Sequence, residues 1–251
     1  MAIVNTRRNW TRDEVILALG LYFQTPFGKI TDRNTRIREI AKFLGRTPAA
    51  LSMKMCNLGR FDPTLQNRNV SGLTNGAKMD ESVWREFDGH AEELSREYAR
   101  VLTLFGADAS DAAAVTPAGA GNGATLDLDF FRQSVLSAYD NTCCITGIDD
   151  ERLLSAYHFK PLEQCEDANE KMNPRNGISL SGLYGDAFAK GLITIDDSLK
   201  VVLSPSLKDH LTRSAYDDFF SRYANTMIRV PDRSRPAPDF IHYHNEHVFA
   251  A

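Results

Sequence analysis

The side chains with chemistry to offer gather in one stretch. His158 ends the run Leu154-Ser-Ala-Tyr-His158, and Phe-Lys-Pro161 follows, so a loop begins beside the ring. An imidazole with an ordinary pKa near 6.5 is mostly neutral at pH 7 and can take a proton from water. A positioned base contributes roughly 10²–10⁴-fold to a rate. The bland alternative is a histidine that closes a strand. Lys160 can contact a phosphate, or can be a solvated loop lysine. Asn176 precedes Gly177. A carboxamide donates and accepts at once, and Asn-Gly also makes plain turns. Hydrolysing a phosphodiester needs such a base, and a divalent cation can neutralise the phosphate and the leaving oxygen.

Around these residues lie Cys144-Ile-Thr-Gly147, Leu183-Tyr-Gly-Asp-Ala-Phe188 and Gly191-Leu-Ile-Thr-Ile195. Each piece is weak alone. Their order and spacing resemble the HNH nuclease domain, a branch of the ββα-metal nucleases, over about the central quarter of the chain. The resemblance implies that His158 activates water, that Asn176 fixes the loop carrying it, and that Mg²⁺ or Mn²⁺ sits by the short helix. The sequence departs where the family has its last histidine, a metal ligand: Tyr184 stands there. Tyr157 stands before the base, where related branches often have an acid. Mg²⁺ prefers carboxylates and water, so two phenols suit it poorly. Asp186 is then the nearest carboxylate, and a looser alignment puts Gly185 at the ligand position.

Two functions follow from the resemblance. One is an endonuclease that hydrolyses DNA, related to restriction or defence, with a rearranged metal site. The other is a catalytically inactive HNH-fold protein that binds DNA or regulates. Residue types do not separate DNA from RNA. One such site cuts one strand, so double-strand cleavage implies a homodimer.

The elements ahead of this stretch read as helices. Thr11-Arg12-Asp13-Glu14 has the capping-box pattern, and Val15, Ala18, Leu19 and Tyr22 recur at helical spacing, predicting an amphipathic helix over 11–24. Thr25-Pro-Phe-Gly28 breaks it. Ile37, Ile40, Ala41 and Leu44 predict a second helix ended by Gly45. Thr47 and Pro48 then begin a third, with Leu51, Met55 and Leu58 buried. Helix, short turn, helix is the outline of a helix-turn-helix, in which the second helix reads base edges. Arg46, Ser52, Lys54 and Asn57 are the expected exposed contacts, with Arg33, Arg36, Arg38 and Lys42 on phosphates. An ordinary helical hairpin is the alternative. Gly45-Arg-Thr-Pro-Ala-Ala50 also resembles the G-R-T-P-x-A segment ahead of some bacterial HNH nucleases.

Charge supports an anionic partner. The net charge is −4, yet residues 1–60 hold 11 Lys/Arg against 4 Asp/Glu. Phe61 to Lys78 reads as loop. Val83, Trp84 and Phe87 form a short apolar face, and a helix follows over 90–105. Residues 106–124 are rich in Ala, Gly, Asp, Ser and Thr and read as a flexible linker. The chain is therefore expected to be α+β. A helical, DNA-binding N-terminal domain (1–105) and a linker (106–124) precede a ββα-metal (HNH) domain with flanking helices (125–251). In that domain a helix buries Phe131, Val135, Ala138 and Tyr139. Cys143–Thr146 and Leu153–His158 are the expected strand pair, Gly182–Lys190 a short helix, and Ile193–Ile195 and Val201–Leu203 a hairpin. His242, His244 and His247 read as packing residues rather than metal ligands. Four cysteines, of which Cys143 and Cys144 are adjacent and none form a C-x-x-C pair, an N-terminus without an apolar core and the lack of an 18-residue apolar run point to a reducing, cytoplasmic setting.

Overall fold

A computed structural model describes residues 8–66, 78–105, 123–231 and 233–250, with backbone alone for 123–127. Most of the expected linker, residues 106–122, lies outside them, as does 67–77 of the expected loop. Among the described residues no helix is long and apolar enough to cross a membrane.

The first half is helical: α1 (Arg12–Gln24), α2 (Thr35–Phe43), α3 (Pro48–Gly59), α4 (Pro63–Gln66), α5 (Lys78–Phe87) and α6 (Ala91–Leu104). Its local signals act as the sequence dictates. Thr11 and Glu14 form a reciprocal capping box on α1. Gly45 takes φ +59° after α2, where a side chain would be strained. Thr47 caps α3, with Pro48 in its first turn. Pro63–Gln66 is helical where loop was expected.

α1 differs from the expected amphipathic helix. Ile16, Leu17 and Leu21 are buried as fully as Val15 and Leu19, because α3, α5, α6 and α7 (Gly123–Ala138) all pack on it. A helix apolar all round belongs in a core.

In the second half, β1 (Leu154–His158) pairs antiparallel with β2 (Gly177–Ser181), His158 opposite Gly177. This corrects the expected pairing. Cys143–Thr146 is a turn, closed by Gly147 N–H on the Cys143 carbonyl at 2.9 Å, and it packs on β2 through Cys144 N–H to the Ser179 carbonyl at 3.0 Å. α8 (Ala168–Met172) lies in the β1–β2 connection. α9 (Gly182–Ala189) follows, then the hairpin β3 (Ile193–Ile195) and β4 (Val201–Leu203), α10 (Ser206–His210), α11 (Arg213–Phe219) and α12 (Pro238–His247). The architecture is α+β. β2 is buried along its whole length because α7 and α9 both pack against it.

Both halves share one hydrophobic cluster. The Arg233 side chain is buried across their junction. It donates to the carbonyls of Tyr22, Phe23 and Thr25 at the end of α1, and to Ser137 Oγ on α7.

His244 packs as expected. Its ring stacks on Phe188 at 3.8 Å, its Nε2 donates to the Phe188 carbonyl at 3.2 Å, and it is 1% exposed. Burial lowers its pKa from 6.5 to about 4, against a smaller upward pull from the Phe188 carbonyl. The neutral form is thus favoured in the fold, and the unfolded chain takes up the proton first. Stability from His244 is full above pH 6.5 and falls as pH drops towards 4, by up to about 3 kcal/mol. Urea titrations at pH 7, 5.5 and 4.5 should show this slope, and His244→Gln should flatten it.

Candidate functional site

The β1–β2 end is built around Asn176, which is 0% exposed. Its Oδ1 accepts from Lys160 N–H at 2.8 Å, and its Nδ2 donates to the carbonyls of Lys160 at 3.1 Å and Glu170 at 3.2 Å. One amide therefore ties the chain just after His158 to the loop returning from α8. The resemblance implies a loop-holding role for this residue, and these are the contacts it makes.

His158 sits at the other strand's end and is partly exposed. One face of its ring stacks on Phe131 at 4.0 Å, with planes 10° apart. Its Nε2 lies 2.9 Å from the Lys171 carbonyl. A carbonyl only accepts, so Nε2 carries the hydrogen and Nδ1 keeps its lone pair. Burial lowers the ring's pKa, against smaller upward effects of the Lys171 carbonyl and Glu163. Burial thus favours the neutral ring, and the Lys171 carbonyl favours one tautomer of it.

Successive side chains on a strand point to opposite faces. Tyr157 accordingly turns towards α9 while His158 turns towards α7. A Cβ added at Gly185 would lie 2.0 Å from the Tyr157 ring, so the glycine admits the phenol. The Tyr157 hydroxyl meets the exposed Asp186 carboxylate; burial, then this carboxylate, raise the Tyr157 pKa. Tyr184 turns elsewhere. It is 7% exposed, packs against Phe220 and Tyr223, and donates to the Phe219 carbonyl at 2.5 Å. Burial and then the neighbouring Tyr223 raise its pKa. The structure thus joins His158 to Asn176 through one loop and brings Tyr157 to Asp186, but it leaves the Tyr184 hydroxyl inside an aromatic pocket.

The expected DNA contacts need correction. Arg46 is 3% exposed; its guanidinium lies 2.8 Å from Glu14 Oε2, donates to the carbonyls of Arg8 and Asn9, and covers the Trp10 ring at 4.2 Å. Lys54 is buried on Asp80 at 2.7 Å. Ser52 is buried, its hydroxyl on the Ala49 carbonyl, and Asn57 is half-buried. The face that α3 turns outward carries Ala49, Met53 and Cys56 instead. Arg36 points inward to Gln24 and Tyr98. Lys160 is also buried, 2.8 Å from Glu170, so its charge is already matched. Arg33, Arg38 and Lys42 remain exposed, with Lys29 beside them in sequence.

Residues 143–196 match the family described as HNH endonuclease. This segment is an HNH-family domain. No curated protein matches the chain. The matched span runs from the Cys143 turn through β1, β2 and α9 to β3, so it contains both His158 and Asn176.

Nucleases of the HNH family generally use a divalent metal. The donor set of this HNH domain does not suit one. Its two phenols have raised pKa values, the Tyr184 hydroxyl is committed to a backbone carbonyl, and Asp186 contributes one carboxylate. Among the described residues no three His, Cys, Asp or Glu side chains converge. The sequence carried a signal for the Tyr157 packing, since glycine inside a short helix marks a close approach. It carried none for the Phe131 stack or the Lys171 carbonyl, which only the tertiary fold supplies.

Proposed function

We propose that this HNH-domain protein binds DNA through its helical half and has lost efficient phosphodiester hydrolysis. The observation that carries this is the Tyr157 ring seated on Gly185 with Asp186 at its hydroxyl, which fills the ligand side of the site with a phenol. Exposed Lys29, Arg33, Arg38 and Lys42 support the DNA part. Cations of this kind bind phosphate without reading sequence, and such binding weakens steeply with salt.

A second reading, a working endonuclease, is favoured by His158. Its neutral ring, fixed tautomer and Asn176-anchored loop are what a base needs. In that reading His158 Nδ1 takes the proton from the attacking water and Asn176 holds the loop.

Supercoiled plasmid, incubated with Mg²⁺ or Mn²⁺ and either wild type or His158→Ala, separates the two. Equal and negligible nicking by both proteins is expected, together with plasmid binding that weakens as salt rises. Nicking by wild type that His158→Ala lowers at least 100-fold would establish the endonuclease.

A further inference from the structure

A cavity of about 730 Å³ opens between the two halves, within the range of small-molecule sites. Phe23 of α1, Trp84 and Phe87 of α5 and Phe130 of α7 line it with rings. Ser134, one turn after Phe130, also lines it. It is 2% exposed, and its Oγ has no hydrogen-bond partner among the described residues. A buried hydroxyl left unpaired costs about 1–3 kcal/mol, and a polar ligand atom in the cavity would remove that cost.

Arg175 and Arg235 supply positive charge at the edge. Both line the cavity and are exposed, and Arg175 Nε donates to the Arg235 carbonyl at 3.3 Å, which holds the two segments together. Guanidinium groups match phosphate oxygens in a two-pronged geometry. Of the two acids present, Asp62 is committed to the Tyr22 hydroxyl and Thr64 N–H, whereas Asp88 is exposed. An exposed carboxylate there favours a ring that carries an amino group.

We propose that this cavity binds a nucleotide, with its base among the four aromatic rings and its phosphate on Arg175 and Arg235. The nucleotide is either free or one unit of a single strand. Two connections give the site consequence. Asn173, Pro174 and Arg175 line the cavity and lead directly into Asn176, and α7 offers Ser134 to the cavity and Phe131 to His158. The proposal does not rest on whether the domain cleaves DNA, because the test reads binding alone.

Titrate AMP, GMP, CMP and UMP separately into the full chain by calorimetry, with the matching nucleosides and inorganic phosphate as controls. At least one monophosphate should saturate at one per chain, with UMP the weakest. Its nucleoside should bind at least 10-fold more weakly, and phosphate alone should not bind. The exposed-site variant Arg175→Glu/Arg235→Glu should weaken the monophosphate at least 10-fold and leave the nucleoside unchanged. Ser134→Ala should weaken both several-fold. An eight-nucleotide single strand that displaces the monophosphate identifies a strand unit as the ligand, and failure to displace identifies a free nucleotide. No binding by any of the four, or equal binding by the double variant, would overturn the proposal.

Discussion

Arg46→Ala should lower the unfolding free energy by about 3–5 kcal/mol, the range for removing one partner of a buried ion pair. Glu14 is 0% exposed and receives two guanidinium nitrogens of Arg46, at 3.1 and 2.8 Å. Burial alone would raise the Glu14 pKa. The Arg46 hydrogen bonds, the Thr11 N–H and the charges of Arg46 and Arg8 outweigh burial and hold it below 4.5. In the variant Arg8 is left as the nearby cation, with a side chain 36% exposed. The sign with pH follows from the lowered value. The pair stabilises above pH 4.5, and that stability is lost as acid protonates Glu14. Urea unfolding at pH 7 measures the loss, and Arg38→Ala is the control. Arg38 is exposed, so its removal should stay within about 0.5 kcal/mol of wild type. A small effect from Arg46→Ala would show that Arg8 and water replace its contacts.

Asn176→Asp should be as damaging, although it changes one atom type. The Oδ1 that accepts from Lys160 N–H is retained. The nitrogen that donates to two carbonyls, 3.1 and 3.2 Å away, becomes an oxygen facing oxygens at full burial. Lost charge-free donors and a desolvated carboxylate together cost about 3 kcal/mol or more. Hydrogen exchange should locate the damage, with amides of 159–176 losing protection before those of α1. Uniform loss across the chain would mean that the side chain supports the core at large rather than this loop.

Features set by a few neighbouring residues were legible in the sequence. Thr11 with Glu14, Gly45 followed by Thr47-Pro48, and the apolar strands about Asp196-Asp197 each encode local geometry, and each forms. The Asn176 loop was legible through the resemblance to HNH nucleases. What failed needed partners distant in the chain. Arg46 and Lys54 look like surface cations until Glu14 and Asp80 pack against them. Cys143–Thr146 carries strand-forming residues, but the position beside Leu154–His158 is taken by residues 177–181. Tyr157 reads as a displaced ligand, whereas its ring fills the space that Gly185 leaves open.

Arg233 bears on how freely such a domain can be exchanged. Its guanidinium closes the carbonyl end of α1 from the other half of the chain. A graft of the second half of the chain, Arg233 included, onto a foreign partner would strand this cation without its oxygens. A transplant of that half therefore calls for a recipient that offers the guanidinium an equivalent helix end.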